Sequence, residues 1–459
     1  MPIRNIHFTV FVTVLFWFLL LFSTPSFSTP FNEIIRNSLA NSITLAAARQ
    51  NWIASRESIG SSTLTSDLSA RLTSTGLLGQ SDNKDGSGFK KNQSITTGVT
   101  LSKNLYDGGQ TNEKTRLGQI KLQASSANYS KVEQLVILTT IEAYLDVLQA
   151  RRKIKLLEKN RIRLEAHVMA TKIRVKAGAI TPTRLAEANA RHARAKSDEI
   201  IAKTELANVE DSFQSLTNTN ITNFFELELS GVLPTDISDA ETKAQTGHPD
   251  ILSAIAAERA ANQAFNTFKA SVKPTLAFNL LANTKHTNGS NLDKNEVAAQ
   301  LIFSSPLIST NASRSTARSI AASYQEAKLN RAEIKRKISV NARVAFRNWK
   351  ATKIRLNAVL SEIEAFRLVA KGIANETQLG QKTTLDLLDA EKDINDAELN
   401  LLSAEHSQVL AAFNLKAAIG NLTAESFGLR DITSNLVGLP SPENPFHNTF
   451  PFRRRATNN

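Results

Sequence analysis

Residues 379–390 read LGQKTTLDLLDA, and residues 177–188, at a shift of 202 positions, read AGAITPTRLAEA. The two segments carry a Gly, a Thr, a Leu and an Ala at equivalent positions, and another Ala follows seven residues later in each. The matched residues are Gly178, Thr181, Leu185, Ala188 and Ala195 with Gly380, Thr383, Leu387, Ala390 and Ala397. Further upstream, Ile43, Leu64, Leu68 and Leu72 match Ile251, Val272, Leu276 and Leu280 at a shift of 208. The chain therefore contains two copies of one unit of about 200 residues.

Each copy predicts the same order of elements: helix, strand, strand, long helix, helix. The first repeat, 29–217, predicts helix 31–58, strands 62–75 and 93–106, long helix 112–177 and helix 182–216. The second, 248–430, predicts helix 249–268, strands 272–284 and 295–305, long helix 312–378 and helix 384–418. Residues 218–247 predict an inter-repeat linker or equatorial segment, and the Pro- and Asn-rich segment 431–459 predicts a disordered tail.

The predicted helices carry a heptad pattern. No proline interrupts 112–177, so this helix would be about 100 Å long at 1.5 Å per residue. Core positions alternate by three and four residues at Leu185, Ala188, His192, Ala195, Glu199 and Ala202, and in the second copy at Ile394, Ala397, Leu401, Ala404, Gln408 and Ala411. This spacing indicates coiled-coil packing between helices. On this face His192 is more typical of a packed or pH-sensitive core residue than of a metal ligand.

The predicted strands alternate apolar and polar residues. Apolar side chains share one face at Leu276, Phe278, Leu280 and Ala282, and again at Val297, Ala299, Leu301 and Phe303. Strands of about ten residues with two unlike faces suit a tilted crossing of a bilayer. Four strands cannot close into a barrel, and open edges in lipid would leave backbone groups unpaired, so several chains would have to pool their strands. Two water-soluble hairpins are the alternative.

The first 28 residues predict a secretory signal peptide. Arg4 precedes an apolar run from Phe8 to Phe22, and small residues flank the cleavage site expected after Ser28. An uncleaved anchor is the alternative. The chain has no Cys, which excludes disulfides, thiolate metal sites and a lipid-modified N-terminal Cys.

Charge and motifs argue against nucleic-acid binding and catalysis. The net charge is +13, but the charges lie in mixed-sign runs typical of solvated helix faces. The seven His residues show no ligand spacing, and no nucleophile–base motif or phosphate-binding loop is present in the sequence. We therefore expect no enzymatic activity, no cofactor and no metal.

Three segments resemble the TolC family of outer-membrane efflux and secretion proteins. They are LYDGGQ at 105–110, VKAGAIT at 175–181, and the segment 379–390 quoted above. The element order and the duplication match from about residue 31 to 430. The resemblance implies a mainly α fold with transmembrane β-strands: a homotrimer in the outer membrane, with a 12-stranded β-barrel (four strands per chain) and a helical barrel through the periplasm. It also implies a periplasmic adaptor and an inner-membrane transporter as partners, with outer-membrane lipid around the strands.

The resemblance also implies roles for particular residues. Asp386 and Asp389 would ring the periplasmic entrance, although capping of the following helix by Thr383 and Asp386 is an alternative use of the first carboxylate. Lys382 and Arg184 would gate the tip. Arg184 stands where the family commonly has Asp, so both gating residues are positive, and 308–311 lack the glycines of the equivalent corner in the first repeat. The helix-turn tips that would receive the adaptor are Gly178, Gly380, Thr181, Thr383 and Leu385, and the strand–helix corner is Gly108 and Gly109.

These features predict a passive exit duct for toxic compounds or for type I secreted proteins. A periplasmic coiled-coil adaptor is the main alternative, because such proteins also contain long helical hairpins. A fibrous adhesin-like coiled coil is less consistent with a chain that turns back at Gly178 and Gly380. The sequence does not separate drug efflux from protein secretion.

Overall fold

The computed structural model describes residues 30–63, 68–83, 88–219, 233–288, 294–307 and 311–429. The first repeat consists of α1 (Pro30–Asn41), α2 (Ile43–Thr63), β1 (Ser69–Asn83), β2 (Gly88–Tyr106), α3 (Gln110–Lys176) and α4 (Pro182–Thr217). After α5 (Ile237–Gly247), the second repeat consists of α6 (Pro249–Ser271), β3 (Thr275–Asn288), β4 (Lys294–Ser304), α7 (Asn311–Gln378) and α8 (Thr384–Ala418), followed by a 3₁₀ turn at Ala424–Phe427. The predicted signal peptide 1–28, the tail 431–459 and the corner residues 308–310 lie outside the described residues.

The first repeat begins differently from the sequence prediction. The predicted helix 31–58 is two helices, because the Ser42 hydroxyl accepts a hydrogen bond from the Leu45 N–H at 3.2 Å and caps the start of α2. Helix α2 then continues to Thr63, so the first strand lies at Ser69–Asn83 rather than at 62–75. The strand reaches Asn83 because ladder hydrogen bonds join main-chain groups, so pairing continues over the polar residues beyond the predicted end of the strand.

The segment 218–247, predicted as a linker, contains a helix. Helix α5 begins after Asp236, whose carboxylate accepts from the Asp239 N–H at 2.8 Å. Its buried residues Ala240 and Ala244 pack against Ile338 and Ala342 of α7. The segment between the repeats is therefore held against the second long helix; residues 220–232 lie outside the described part of the chain.

The four strands form one antiparallel sheet in the order β1-β2-β3-β4. Strand β2 of the first repeat pairs with β3 of the second over a long register, with one irregularity between Asn104 and Tyr106. The two hairpins are thus joined across the repeat boundary, and β1 and β4 form the outer strands of this sheet.

Helices α3 and α7 have 67 and 68 residues, which corresponds to about 100 Å each. Helix α3 packs against α2 along its first part and against α4 along its second part, and α7 packs likewise against α6 and α8. Each long helix therefore has two shorter antiparallel partners placed end to end. None of the described helices is apolar over a stretch long enough to cross a membrane.

A row of alanines at heptad spacing lies in each helical hairpin. Ala188, Ala195 and Ala202 of α4 are buried, and so are their equivalents Ala390, Ala397 and Ala404 of α8. Small side chains at these core positions let the helices approach closely. Glu199 occupies the same face and is held by Arg161 at 2.7 Å and Lys203 at 2.6 Å. His192, predicted at a core position, is only partly buried.

The main hydrophobic core lies where the shorter helices meet end to end. Its largest fully buried side chains include Tyr144 of α3, Phe213 of α4 and Phe413 of α8. Phe31 of α1 meets the Tyr144 ring edge-on at 5.1 Å between centroids. Because residues from both repeats share this core, the repeats fold as one body here rather than as independent units.

Candidate functional site

The two helix turns at the far end of the hairpins have the same backbone geometry. After α3, Gly178 has φ 71°, the Gly178 N–H donates to Val175 O at 3.0 Å, and the Ala179 N–H donates to Arg174 O at 2.9 Å. After α7, Gly380 has φ 76°, the Gly380 N–H donates to Thr377 O at 3.2 Å, and the Gln381 N–H donates to Glu376 O at 2.8 Å. Both are Schellman motifs, in which the left-handed residue is almost always Gly.

The helices that leave these turns begin differently. In the second turn, the Thr383 hydroxyl accepts from the Asp386 N–H at 3.3 Å, while the Asp386 carboxylate accepts from the Thr383 N–H at 2.8 Å, which completes a capping box. In the first turn, Thr181 is the N-cap without a side-chain hydrogen bond, and Pro182 occupies the first helical position. Asp386 therefore performs the capping role that the sequence left open, and α8 starts from a more firmly fixed turn than α4.

The two carboxylates predicted for an entrance ring have different surroundings. Hydrogen bonds from the backbone N–H and hydroxyl of Thr383, with Lys382 and Arg184 nearby, hold the pKa of Asp386 below its ordinary value. Asp389, one turn further along α8, is exposed and pairs with Arg191 of α4 at 2.8 Å. Asp386 thus keeps an ionised carboxylate at the tip, whereas the charge of Asp389 is largely balanced within the chain.

The predicted gating residues Arg184 and Lys382 do not pair with each other. Arg184 contacts Glu187 on its own helix at 3.3 Å. Lys382 is exposed and lies close enough to Asp386 to stabilise its ionised form. Two positive side chains therefore flank the Asp386 carboxylate, one from each hairpin.

Other polar contacts join the first hairpin to α8, and their partners could not be predicted from the sequence. Near the tip, Arg174 Nη1 donates to Thr384 Oγ1 at 3.3 Å, and Arg163 lies 3.6 Å from Glu391. Further along are the pairs Gln149–Ser403 at 3.3 Å, Arg152–Glu405 at 3.1 Å and Asp146–His406 at 2.8 Å. Helix α8 is thereby tied along its length to the other repeat, which positions the second tip relative to the first. Charge alternation identifies such residues as surface pairs, but the partner depends on how the hairpins lie side by side.

The strand–helix corner is built around Gly108 and Gly109, with φ 69° and 85°. A side chain at Gly108 would bring its Cβ within 2.8 Å of Lys273 Cβ and 2.9 Å of Ala270 O, so this glycine is where the first repeat touches the helix–strand corner of the second. At Gly109 nothing lies within 4 Å of such a Cβ. Partial burial would raise the pKa of Asp107, but hydrogen bonds from Thr111 and Gly109 outweigh it and hold this pKa below its ordinary value. By accepting the N–H groups of Gly109 and Thr111, the carboxylate also caps the start of α3. Asp107 was not among the predicted site residues.

One face of the sheet is mainly apolar, with Lys103, the register partner of Phe278, as a charged residue on it. Directly paired residues point to the same side of a sheet, so each register row shows one face. The apolar rows are Leu72–Val99–Ala282–Val297 and Ala70–Leu101–Leu280–Ala299, continued by Phe278–Leu301 and Leu276–Phe303. In a single chain these side chains face solvent; Val297 is 77% and Leu301 68% exposed.

The opposite face of the sheet is mainly polar. Its rows include Thr73–Gly98–Asn283–Glu296 and Ser69–Ser102–Asn279–Gln300. A sheet with one apolar and one polar face, both uncovered, suits a wall between lipid and water.

Sequence comparison relates the chain to outer-membrane efflux proteins. A family model described as outer membrane efflux protein matches residues 34–219 and 242–421. The outer membrane efflux protein BepC of Brucella suis is 26% identical over 337 residues, 73% of this chain and 74% of its own. The outer membrane protein TolC of Vibrio cholerae is 22% identical over 398 residues, 81% of this chain and 87% of its own.

Solved structures share the fold at low sequence identity. The CmeC outer membrane channel of Campylobacter jejuni superposes with a TM-score of 0.73 at 15% identity, covering 89% of both chains. The MtrE outer membrane channel of Neisseria gonorrhoeae, in its open state, has a TM-score of 0.70 at 17% identity, covering 86% of this chain and 89% of its own. The mainly helical architecture with a small antiparallel sheet is therefore that of outer-membrane channel structures.

Proposed function

This chain belongs to the outer membrane efflux protein family, and we propose that three copies of it form a passive exit duct through the outer membrane and the periplasm. The observation that carries the proposal is the four-stranded sheet with one apolar face, one polar face and two open edges. An edge strand in lipid leaves backbone N–H and C=O groups unpaired, at several kcal/mol each. Neighbouring copies remove this penalty by pairing β4 of one chain with β1 of the next.

The strand directions allow such closure. Because consecutive strands are antiparallel, β4 runs opposite to β1, and a β4–β1 contact between chains continues the same pattern. Two chains would give eight strands, and a barrel of about eight strands is filled by its own side chains. Three chains give twelve strands, an even number that leaves a water-filled lumen.

The helical part supports lateral association of copies. Apolar side chains of α7 stand exposed in the single chain at Leu329, Ile354 and Leu368, and α4 exposes Ile200 and Ile201. Neighbouring hairpins would cover these positions and continue the wall of the duct for about 100 Å beyond the membrane. The apolar strand face would contact outer-membrane lipid.

At the other end, the two helix turns would form the periplasmic entrance. Asp386 and Asp389 would give a ring of carboxylates there, with Asp386 as its main charge. Arg184 and Lys382 would bias the tip between closed and open positions through the Asp386 carboxylate. The exposed turns at Gly178 and Gly380 would receive a periplasmic adaptor, and an inner-membrane transporter would supply the energy.

The transported material is proposed to be small toxic compounds rather than proteins. The family description and the name of the Brucella relative both specify efflux, which supports this choice. A strain that lacks the gene should then become sensitive to such compounds while its secreted proteins remain unchanged.

The duct is tested with two neighbouring substitutions on β3 that differ in the face they occupy. The full-length mature protein should run as a trimer on unheated SDS gels and conduct ions in planar bilayers. Leu280→Lys places a charge on the apolar face, at about 2–4 kcal/mol per chain near the bilayer midplane, and should abolish both properties. Asn279→Lys, on the polar face, should retain both. A wild-type protein that stays a water-soluble monomer and never conducts would instead favour the adaptor.

A further inference from the structure

The polar face of the sheet carries a positive charge excess. Among its described side chains, Arg71, Lys285 and Lys294 are cationic and Glu296 is the carboxylate, which leaves two positive charges per chain (three minus one). Asp293, which precedes Lys294, lies outside the described residues. In a duct whose apolar face meets lipid, these charges point into the lumen.

Two of the lysines stand directly opposite each other. Lys285 of β3 and Lys294 of β4 are register partners in the row Thr75–Thr96–Lys285–Lys294. Like charges at directly opposite positions destabilise a sheet. Glu296 offsets part of this repulsion, but its carboxylate is 3.6 Å from Lys294 Nζ and both side chains are largely exposed. The sheet therefore keeps a basic row that its own stability does not favour.

The position of the row along the sheet indicates where it lies in the duct. The last predominantly apolar row is Leu72–Val99–Ala282–Val297, and the lysine row lies three residues beyond it, away from the helices. From Thr275 to Lys285 the strand advances about 33 Å, which for a tilted strand spans the apolar part of a bilayer. The row thus lies at the outer end of the four-stranded part of the sheet, beyond which β1 and β2 stay paired as far as Asn83 and Gly88.

We propose that Lys285 and Lys294 form a basic ring at the outer mouth of the duct, which selects anions and binds multivalent ones. The inference rests on the proposed trimer, in which two lysines from each of three chains place six ammonium groups at one level. Rings of charged side chains set the ion preference of pores. The ligand class is small solutes that carry phosphate or carboxylate groups, drawn to the exit rather than to the entrance.

The test measures ion preference in planar bilayers with the full-length protein. Under a KCl gradient, the reversal potential gives the chloride-to-potassium permeability ratio. The double variant Lys285→Gln with Lys294→Gln should lower this ratio by about twofold or more, and Lys285→Glu with Lys294→Glu should lower it further. Lys103→Gln removes the same charge from the opposite face, near the helices, and should leave the ratio unchanged. Tripolyphosphate added on the strand side should block the wild type and the Lys103→Gln variant, but not the double Gln variant.

A lower permeability ratio in the double Gln variant cannot be attributed to poor folding or poor trimer formation. Removing two opposed like charges relieves repulsion, so the double Gln variant should form trimers on unheated SDS gels at least as well as the wild type. A conducting double variant with unchanged permeability ratio and unchanged tripolyphosphate block would overturn the ring and leave the duct intact. A wild-type protein that does not conduct would overturn both proposals.

Discussion

At the level of single residues, Asp386 combines a structural and an electrostatic role. Its carboxylate accepts two hydrogen bonds from Thr383 and so fixes the start of α8, yet these bonds also keep it ionised at the tip. Asp389 is exposed but already paired with Arg191. The two carboxylates are therefore unequal, although their spacing in the sequence makes them look equivalent.

This inequality predicts unequal effects on block by multivalent cations. Asp386→Asn removes the charge but keeps an oxygen that accepts from the Thr383 N–H, so it should weaken block from the helix-tip side while the protein stays folded. Asp389→Asn should weaken block less, because Arg191 already balances that charge. The measurement is single-channel current with a trivalent cation added on each side in turn. Equal loss of block in the two variants, or no loss in either, would contradict the larger contribution assigned to Asp386.

Glu133 predicts a pH dependence of stability. Burial raises the pKa of Glu133, against the opposing effect of the hydrogen bond that it accepts from the Ala424 N–H at 2.7 Å. A carboxyl group with a raised folded-state pKa contributes stability below its ordinary value of 4.5, and this contribution is lost as the pH rises through the folded-state pKa. Glu133→Gln keeps the acceptor for Ala424 and does not titrate.

The stability of Glu133→Gln relative to wild type should therefore increase from pH 4 to pH 8, by about 1.4 kcal/mol for each unit of pKa shift. Thermal unfolding of both proteins at several pH values gives the difference, in which groups common to both cancel. A difference that is independent of pH would show that Glu133 does not titrate differently in the folded protein.

Residue types with a single structural use were the easiest to predict. Gly178 and Gly380 were identified as turn residues because few other residues reach positive φ at low cost, and both have it. Arg191 and Arg174 were missed, since an Arg on a helix surface can pair with many partners. Their partners on α8 are known only once the two hairpins are placed side by side.

At the level of elements, the alanine row predicts where the helical hairpin cannot accept a larger side chain. Ala195→Leu places a larger side chain at a buried heptad position of α4 and should destabilise the protein by about 1–3 kcal/mol. Ala193→Leu, two residues away on the exposed surface, is the matched control and should change stability little. Thermal unfolding of the two purified variants measures the loss of stability that each substitution causes. Similar losses in both would show that the row is not what limits helix approach.

Helix length was easier to predict than strand position. The predicted helices 112–177 and 312–378 differ from α3 and α7 by two residues or fewer at either end. A helical pattern repeated over many turns can be followed in the sequence from one end to the other. The predicted strand 62–75 is displaced by seven to eight residues from Ser69–Asn83. Alternation over a few residues fixes which side chains share a face but not where pairing begins. In β1, Ala70 and Leu72 lie on the same face as the apolar residues of β3 and β4.

At the level of the whole molecule, the duplication explains why one chain contains paired strand hairpins and paired helical hairpins. Each repeat supplies one strand hairpin and one helical hairpin. The repeats join through β2–β3 pairing, through the packing of α6 on α3, and through the contacts of α8 with α3 and α4. The fold class implied by the family resemblance, mainly helical with a small antiparallel sheet, is confirmed by its likeness to the channel structures. In the proposed duct, the outer strands and the exposed helix faces would join one chain to the next, and the number of copies is the next property to test.

Absence of cysteine makes that number directly measurable. Leu72 on β1 and Val297 on β4 lie on the same face but three strand spacings apart, about 14 Å, whereas a disulfide requires Cα atoms within about 7 Å. A disulfide between cysteines on β1 and β4 must therefore join different chains. We expect Leu72→Cys, combined in turn with Val297→Cys, Ala299→Cys or Leu301→Cys, to give at least one pair that oxidises in the membrane.

The covalent products should be monomers, dimers and trimers, because a closed ring of three chains has no free edge for a fourth. Leu72→Cys with Ala282→Cys is the matched control: Ala282 lies in the same row but on an inner strand, which no neighbouring chain can reach. Reduction should return every product to the monomer on denaturing gels. Bands that continue beyond the trimer would show an open or larger assembly. If Asn295→Cys and Phe303→Cys, the remaining same-face positions of β4, also give no disulfide with Leu72→Cys, β1 and β4 do not meet in antiparallel register at Leu72.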